Sequence, residues 1–222
     1  MPGSGAAAGA TPAAVVFDLG NVLVDWDPRN LYLDLFAGDS AAVEHFLREV
    51  CPPEWHRELD RGRPWAEAIA ERAALFPHWR DAIGAYHARW DQMFAGEITG
   101  SVALLRTLHA RGVPVHALSN YPVEPVDFLY RRFEWMALFG TVVISGRLGL
   151  VKPDPAIYRH LLDEIGEPAS RCMFIDDRTD NVAAARALGF DAVVFDGAGA
   201  LAGALRARGL PVADPRDVNR ST

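Results

Sequence analysis

Four short stretches of this 222-residue chain hold side chains whose types and order could do chemistry. Asp18 follows the apolar run Val15-Val16-Phe17, and Asp176-Asp177 follow Cys172-Met173-Phe174-Ile175. Ser119-Asn120 close the run that begins at Val115, and Lys152 stands in Gly149-Leu150-Val151-Lys152-Pro153. A carboxylate ending a buried strand is partly desolvated, which is costly unless a cation pairs with it. Carboxylates gathered at one point repel one another unless a cation is present. An all-oxygen ligand set favours a hard ion, most simply Mg2+. Lys152 is a compact point charge suited to balancing carboxylates and an anionic substrate. The hydroxyl and amide of Ser119-Asn120 suit phosphoryl oxygens. Each feature also has a plain reading. Asp18 would cap a turn, Asp176, Asp177 and Asp180 would cap the next helix, Lys152 would be solvated, and Ser119-Asn120 would be a simple turn.

For these residues to meet, the runs that precede them must lie side by side. Five runs (Ala14–Phe17, Val115–Ser119, 141–145, Cys172–Asp176 and 192–195) lack strict alternation, as strands covered on both faces do. Helical patterns over 101–111, Pro155–Ile165 and 181–188 each stop at a glycine, Gly112, Gly166 and Gly189. The alternation predicts an α/β fold, a Rossmann-like doubly wound parallel sheet whose ligands sit at the carboxyl ends of strands. Residues 28–96 break it. They show helical segments around 41–50, 65–74 and 79–94, no strand, and Trp55, Trp65, Trp79 and Trp90. This reads as a helical cap inserted after the first strand, its tryptophans mainly core. The expected division is a core of 14–27 and 97–213, a cap of 28–96, a disordered tail of 1–13 and a frayed end of 214–222.

A net charge of −7 argues against a chain whose task is gripping a nucleic-acid backbone. Cys51 and Cys172 have no CxxC or Cys/His spacing, so neither a disulfide framework nor a zinc site is expected. The N-terminal stretch has no basic segment of a signal peptide, and no apolar run approaches the ~20 residues that span a bilayer. The expectation is a soluble cytoplasmic protein with a small-molecule partner, without nucleic acid or membrane; oligomeric state leaves no signal.

Taken in order, the stretches resemble the motifs of the haloacid dehalogenase superfamily. They are Val15-Val16-Phe17-Asp18-Leu19-Gly20-Asn21-Val22-Leu23, Ala117-Leu118-Ser119-Asn120, Val151-Lys152-Pro153 and Phe174-Ile175-Asp176-Asp177-Arg178-Thr179-Asp180-Asn181. The resemblance runs over about residues 14–196 and includes the family's helical C1 cap. It implies a Mg2+-dependent phosphatase working through an aspartyl-phosphate on Asp18. Carried over by position, Asp18 is nucleophile and metal ligand, and Ser119 and Asn120 hold phosphoryl oxygens. Lys152 neutralises charge, Asp177 ligates Mg2+, Asp176 supports the metal site or Lys152, and Gly20 offers a backbone carbonyl to the metal. The phrase from Phe17 to Asp27 is similar to that of bacterial glucose-1-phosphate phosphatases, relatives of the N-terminal phosphatase domain of soluble epoxide hydrolase. This implies a small phosphorylated metabolite, a sugar phosphate first.

One position departs from the family pattern. The family's second Asp, two residues after the nucleophile, is Gly20 here, so proton transfer must come from elsewhere, with Asp25, Asp27 and His56 as candidates. Trp26, Arg29, His56, Arg61 and Trp90 are candidate pocket residues. Two rivals stand beside this reading. A 2-haloacid dehalogenase attacks carbon without metal, which leaves no reason for Asp176-Asp177. A non-catalytic binding protein is compatible with Gly20 but gives no reason for Asp18, Lys152 and the acid pair to persist together.

Overall fold

The computed structural model describes residues 11–212. In chain order the strands are β1 (Ala14–Phe17), β2 (Val24–Trp26), β3 (Phe94–Glu97), β4 (Val115–Ser119), β5 (Thr141–Ile144), β6 (Cys172–Asp176) and β7 (Asp191–Val194). The β1 side chains are small, branched or aromatic and all fully buried, which makes β1 the centre of the main sheet. It pairs in parallel with β4 on one side and β6 on the other. β5 and β7 extend the sheet outward, also parallel, in the order β5-β4-β1-β6-β7.

Successive side chains of a strand point to opposite faces. Val15 and Phe17 therefore enter one core, with Leu105 of helix Thr99–Ala110 and Leu205 of helix Gly197–Ala207. Ala14 and Val16 enter the other, with Ile157 and Leu161 of helix Pro155–Ile165 and Val182 of helix Thr179–Ala187. Both faces are covered, as the non-alternating runs predict. The expected doubly wound α/β sheet is what forms, with boundaries moved by a residue or two where caps decide them.

β2 and β3 pair antiparallel and bracket the inserted segment. Between them lie the helices Arg29–Leu35, Ser40–His45, Pro53–Asp60, Trp65–Leu75 and Arg80–Ala88. β3 corrects the expectation that residues 28–96 contain no strand. Phe94-Ala95-Gly96 is too short and too glycine-weakened to show a β pattern, and its extended form comes from pairing with β2. Trp55, Trp65 and Trp90 are buried, and Trp79 packs on Phe36 and Phe46. Ala13 N–H donates to the Arg171 carbonyl at 2.7 Å, so ordered contacts begin before residue 14. The remaining tail and end expectations, for 1–10 and 213–222, lie outside the described residues. No helix among the described residues is long and apolar enough to cross a membrane.

Helix Pro53–Asp60 is seated against the segment that follows β5. Ser145 Oγ donates to the Asp60 carbonyl at 2.6 Å. Just beyond the helix, Gly62 has φ +88°, and a Cβ there would overlap the Gly146 carbonyl oxygen. Both the left-handed backbone and the close approach demand glycine. Gly62→Ala is expected to lower the unfolding free energy by more than ~1 kcal/mol in urea denaturation; an unshifted midpoint would show that this seat does not hold the insertion.

Candidate active site

Because β4, β1 and β6 are parallel neighbours, their carboxyl ends bring Ser119, Asp18 and Asp176-Asp177 to one edge of the sheet. Asp18 is nearly buried, and its Oδ1 accepts from the Leu19 N–H at 2.7 Å and from Lys152 Nζ at 3.0 Å. Among the described residues no hydrogen bond reaches Oδ2. Asp176 is fully buried and saturated. Its Oδ2 accepts from Lys152 Nζ at 2.6 Å, its Oδ1 from the Arg178 N–H at 2.9 Å, and both oxygens from Asn181 Nδ2. Asp177 is half-buried beside it.

Lys152 is 2% exposed. Its ammonium finds a third acceptor in the Leu118 carbonyl at 2.9 Å, so all three hydrogens are committed. Burial opposes its charge, but Asp176 and Asp18 hold its pKa above the ordinary lysine value. Asn120 positions this lysine. Its Oδ1 accepts from the Lys152 N–H at 2.8 Å, and its Nδ2 donates to the Lys152 carbonyl at 3.0 Å. Burial pushes the Asp18 carboxyl well above the usual carboxylate range; Lys152 opposes this, and Asp176 and Asp177 add to it. Asp177 is raised for the same reasons, burial first and then Asp176. One lysine therefore leaves these three acids under-compensated. Asp18, Asp176 and Asp177 each offer an oxygen within 4.8 Å of the others, a donor set that fits a hard divalent cation.

These groups open onto a cavity of about 550 Å3 between the strand ends and the inserted helices. Asp18, Gly20, Ser119, Asn120, Lys152 and Asp177 line it. From the insertion side come Trp26, Arg29, His56 and Trp90, as the sequence reading expects. Arg61 does not line it and is exposed. Asp25 is also exposed outside the cavity, and Asp27 instead binds Arg29. Asp180 reaches the rim but does not join the acid cluster. Its carboxylate pairs with Arg178 at 2.9 Å, which holds it below the usual carboxylate range.

The sequence reading missed Asp60, which lines the cavity almost buried, with His56 Nε2 3.5 Å from its Oδ1. The i,i+4 spacing of His56 and Asp60 on one helix is the signal that could have found it. The His56 ring stacks on Trp26 at 5.1 Å and on Trp90 at 5.9 Å, and its Nδ1 meets the Tyr86 hydroxyl at 3.1 Å. At the strand ends, Lys152→Met leaves two buried carboxylates without their cation and is expected to cost about 3–5 kcal/mol of stability in chemical denaturation. A variant as stable as the parent would show that Nζ does not neutralise them.

The family model described as haloacid dehalogenase-like hydrolase matches residues 12–189. A phosphoglycolate phosphatase of Rhodospirillum rubrum is 36% identical over 196 residues, covering 83% of this chain and 79% of that protein. The sesquiterpene phosphatase astK of Aspergillus oryzae is 30% identical over 190 residues, covering 79% and 86%. The chain spans only 34% of the length of another relative, the drimenol cyclase drtB of Aspergillus calidoustus, at 28% identity. Among solved structures, the HAD family enzyme bt-2542 of Bacteroides thetaiotaomicron, in complex with magnesium and inorganic phosphate, shares the fold. It aligns with a TM-score of 0.62 at 22% identity, covering 85% of this chain and 96% of that one. With a family model spanning most of its length and the acid–lysine cluster at its sheet edge, the chain belongs to the haloacid dehalogenase-like hydrolases.

Proposed function

We propose that the protein is a Mg2+-dependent phosphatase that hydrolyses a small phosphorylated metabolite, a sugar phosphate first, through an aspartyl-phosphate on Asp18. The observation that carries this reading is the cavity-lining Asp18 carboxylate, fixed through Oδ1 by Leu19 and Lys152 while no hydrogen bond among the described residues reaches Oδ2. Two relatives that cover most of the chain bear the names of phosphatases, which supports the reaction class.

In this reading Asp18 Oδ2 forms a bond to phosphorus as the ester P–O bond breaks. Water then attacks the same phosphorus, releasing phosphate and restoring the carboxylate. The Ser119 hydroxyl donates to a phosphoryl oxygen. Lys152 offsets the repulsion between a carboxylate and a phosphate dianion, and Asn120 keeps its backbone in place. Asp18, Asp177 and the Gly20 carbonyl would hold Mg2+, while Asp176, whose oxygens are already taken by Lys152, Asn181 and Arg178, supports the site from behind. When bound, the ion supplies positive charge that screens the attacking carboxylate from the phosphate. The helical insertion acts as a cap that closes the cavity over the leaving group.

The test is phosphate release from a panel of sugar phosphates and from p-nitrophenyl phosphate, alongside chloride release from a 2-haloacid, with Mg2+ or with EDTA. Asp18→Asn is expected to abolish phosphate release, and EDTA to suppress it reversibly. Asp177→Ala is expected to raise the Mg2+ concentration needed for half-maximal activity by at least ~10-fold, as removing one charged ligand does. Metal-independent chloride release without phosphatase activity would overturn the proposal in favour of a dehalogenase.

A further inference from the structure

An alkyl phosphate leaves as an alkoxide, so its oxygen needs a proton as the P–O bond breaks; a positioned acid is worth about 10²–10⁴-fold. Two groups beside Asp18 have no proton to spare. The Lys152 hydrogens have three acceptors, and Gly20 carries no side chain. The Tyr121 hydroxyl donates to the Pro125 carbonyl at 3.3 Å, and the Tyr86 hydroxyl meets His56.

Three buried side-chain atoms on the cavity wall have no hydrogen-bond partner among the described residues, Trp26 Nε1, Asn181 Oδ1 and Asp60 Oδ1, and Asp60 is the carboxyl among them. Asp60 is 6% exposed, and no hydrogen bond reaches its Oδ1. Buried polar atoms without a partner are uncommon, and an unpaired buried anion is costly. Burial raises its pKa; His56 and Lys152 oppose this most, with Arg57 and Arg61 behind them. Asp60, Lys152 and Asp18 line the same cavity, and Lys152 binds Asp18. The residue is held in place. Ser145 Oγ binds its backbone carbonyl, and the facing His56 ring is fixed by Trp26, Trp90 and Tyr86.

We infer that Asp60 is the general acid and base of this site, a role that rests on the phosphatase reading. Its carboxyl gives a proton to the departing ester oxygen while Asp18 Oδ2 bonds to phosphorus. The resulting carboxylate takes a proton from the water that attacks the aspartyl-phosphate, which returns both groups to their starting forms. His56 is a positioning residue that orients the Asp60 carboxyl. The proton thus comes from the inserted segment, across the cavity from the nucleophile.

The experiment measures kcat/KM over aryl and alkyl phosphates of rising leaving-group pKa, with Mg2+, for the wild type, Asp60→Asn, Asp60→Glu and Asp18→Asn. A missing acid harms poor leaving groups most. Asp60→Asn is expected to lose about 10²-fold or more on alkyl esters, and at least about 10-fold less on p-nitrophenyl phosphate. Asp60→Glu, which keeps the carboxyl, is expected to retain a dependence close to that of the wild type. In the Asp60→Asn background, Gly20→Asp is expected to recover alkyl-ester turnover, since a Cβ at residue 20 meets nothing within 4 Å. An equal loss on every ester, or a Glu variant as steep as the Asn variant, would overturn Asp60 as the acid and leave the phosphatase reading standing. Phosphate release unaffected by Asp18→Asn would overturn that reading and this inference together.

Discussion

The ammonium of Lys152, buried between Asp18 and Asp176, is the interaction on which the site depends. Its three hydrogens reach Asp18 after β1, Leu118 in β4 and Asp176 in β6. It therefore ties together the carboxyl ends of the three central strands. A buried lysine survives charged only with such partners, and buried carboxylates survive only with such a cation. One positive charge against three acids leaves the cluster short of compensation, and the same imbalance makes it a place for a divalent cation. The acidity that argues against nucleic acid for the whole chain is, at this edge, concentrated into a donor set that fits a cation.

The inserted segment builds the other half of the cavity, and it is anchored rather than merely tethered. Ser145 holds the end of helix Pro53–Asp60 to the segment after β5, and Gly62 allows the backbones to touch. This seat carries His56 and Asp60 to the mouth of the sheet. Trp26 and Trp90 stack on the His56 ring and give the wall an aromatic surface. The fold alone does not decide the chemistry, since one architecture hosts many reactions. What differs is the set of charges at the strand ends and the side chains that face them across the cavity.

Most of the sheet was legible in the sequence because buried parallel strands leave continuous apolar runs. The carboxyl-end acids Asp18 and Asp176-Asp177 were legible for a related reason. An acid at the end of a fully buried run has few places to be except a sheet edge, whereas Ser119 and Lys152 were legible from their order in the family's motifs. The β2–β3 hairpin was not legible, since Phe94-Ala95-Gly96 becomes extended only through its partner strand. Asp25 and Asp27 look as suitable as Asp60 in sequence, yet they lie outside the cavity.

The α/β class, the central strands and the acids at their ends follow from local burial patterns and residue type, and Ser119 and Lys152 from their order in the family's motifs. Tertiary structure alone decided that Asn120 clamps the Lys152 backbone, that Asp176 is saturated while Asp177 lines the cavity, that Asp180 pairs away with Arg178, and that Asp60 enters the cavity. Each of these depends on which groups a side chain meets across the fold. Hydrogen-bond saturation and desolvation are set by neighbours distant in sequence, and no local pattern records them.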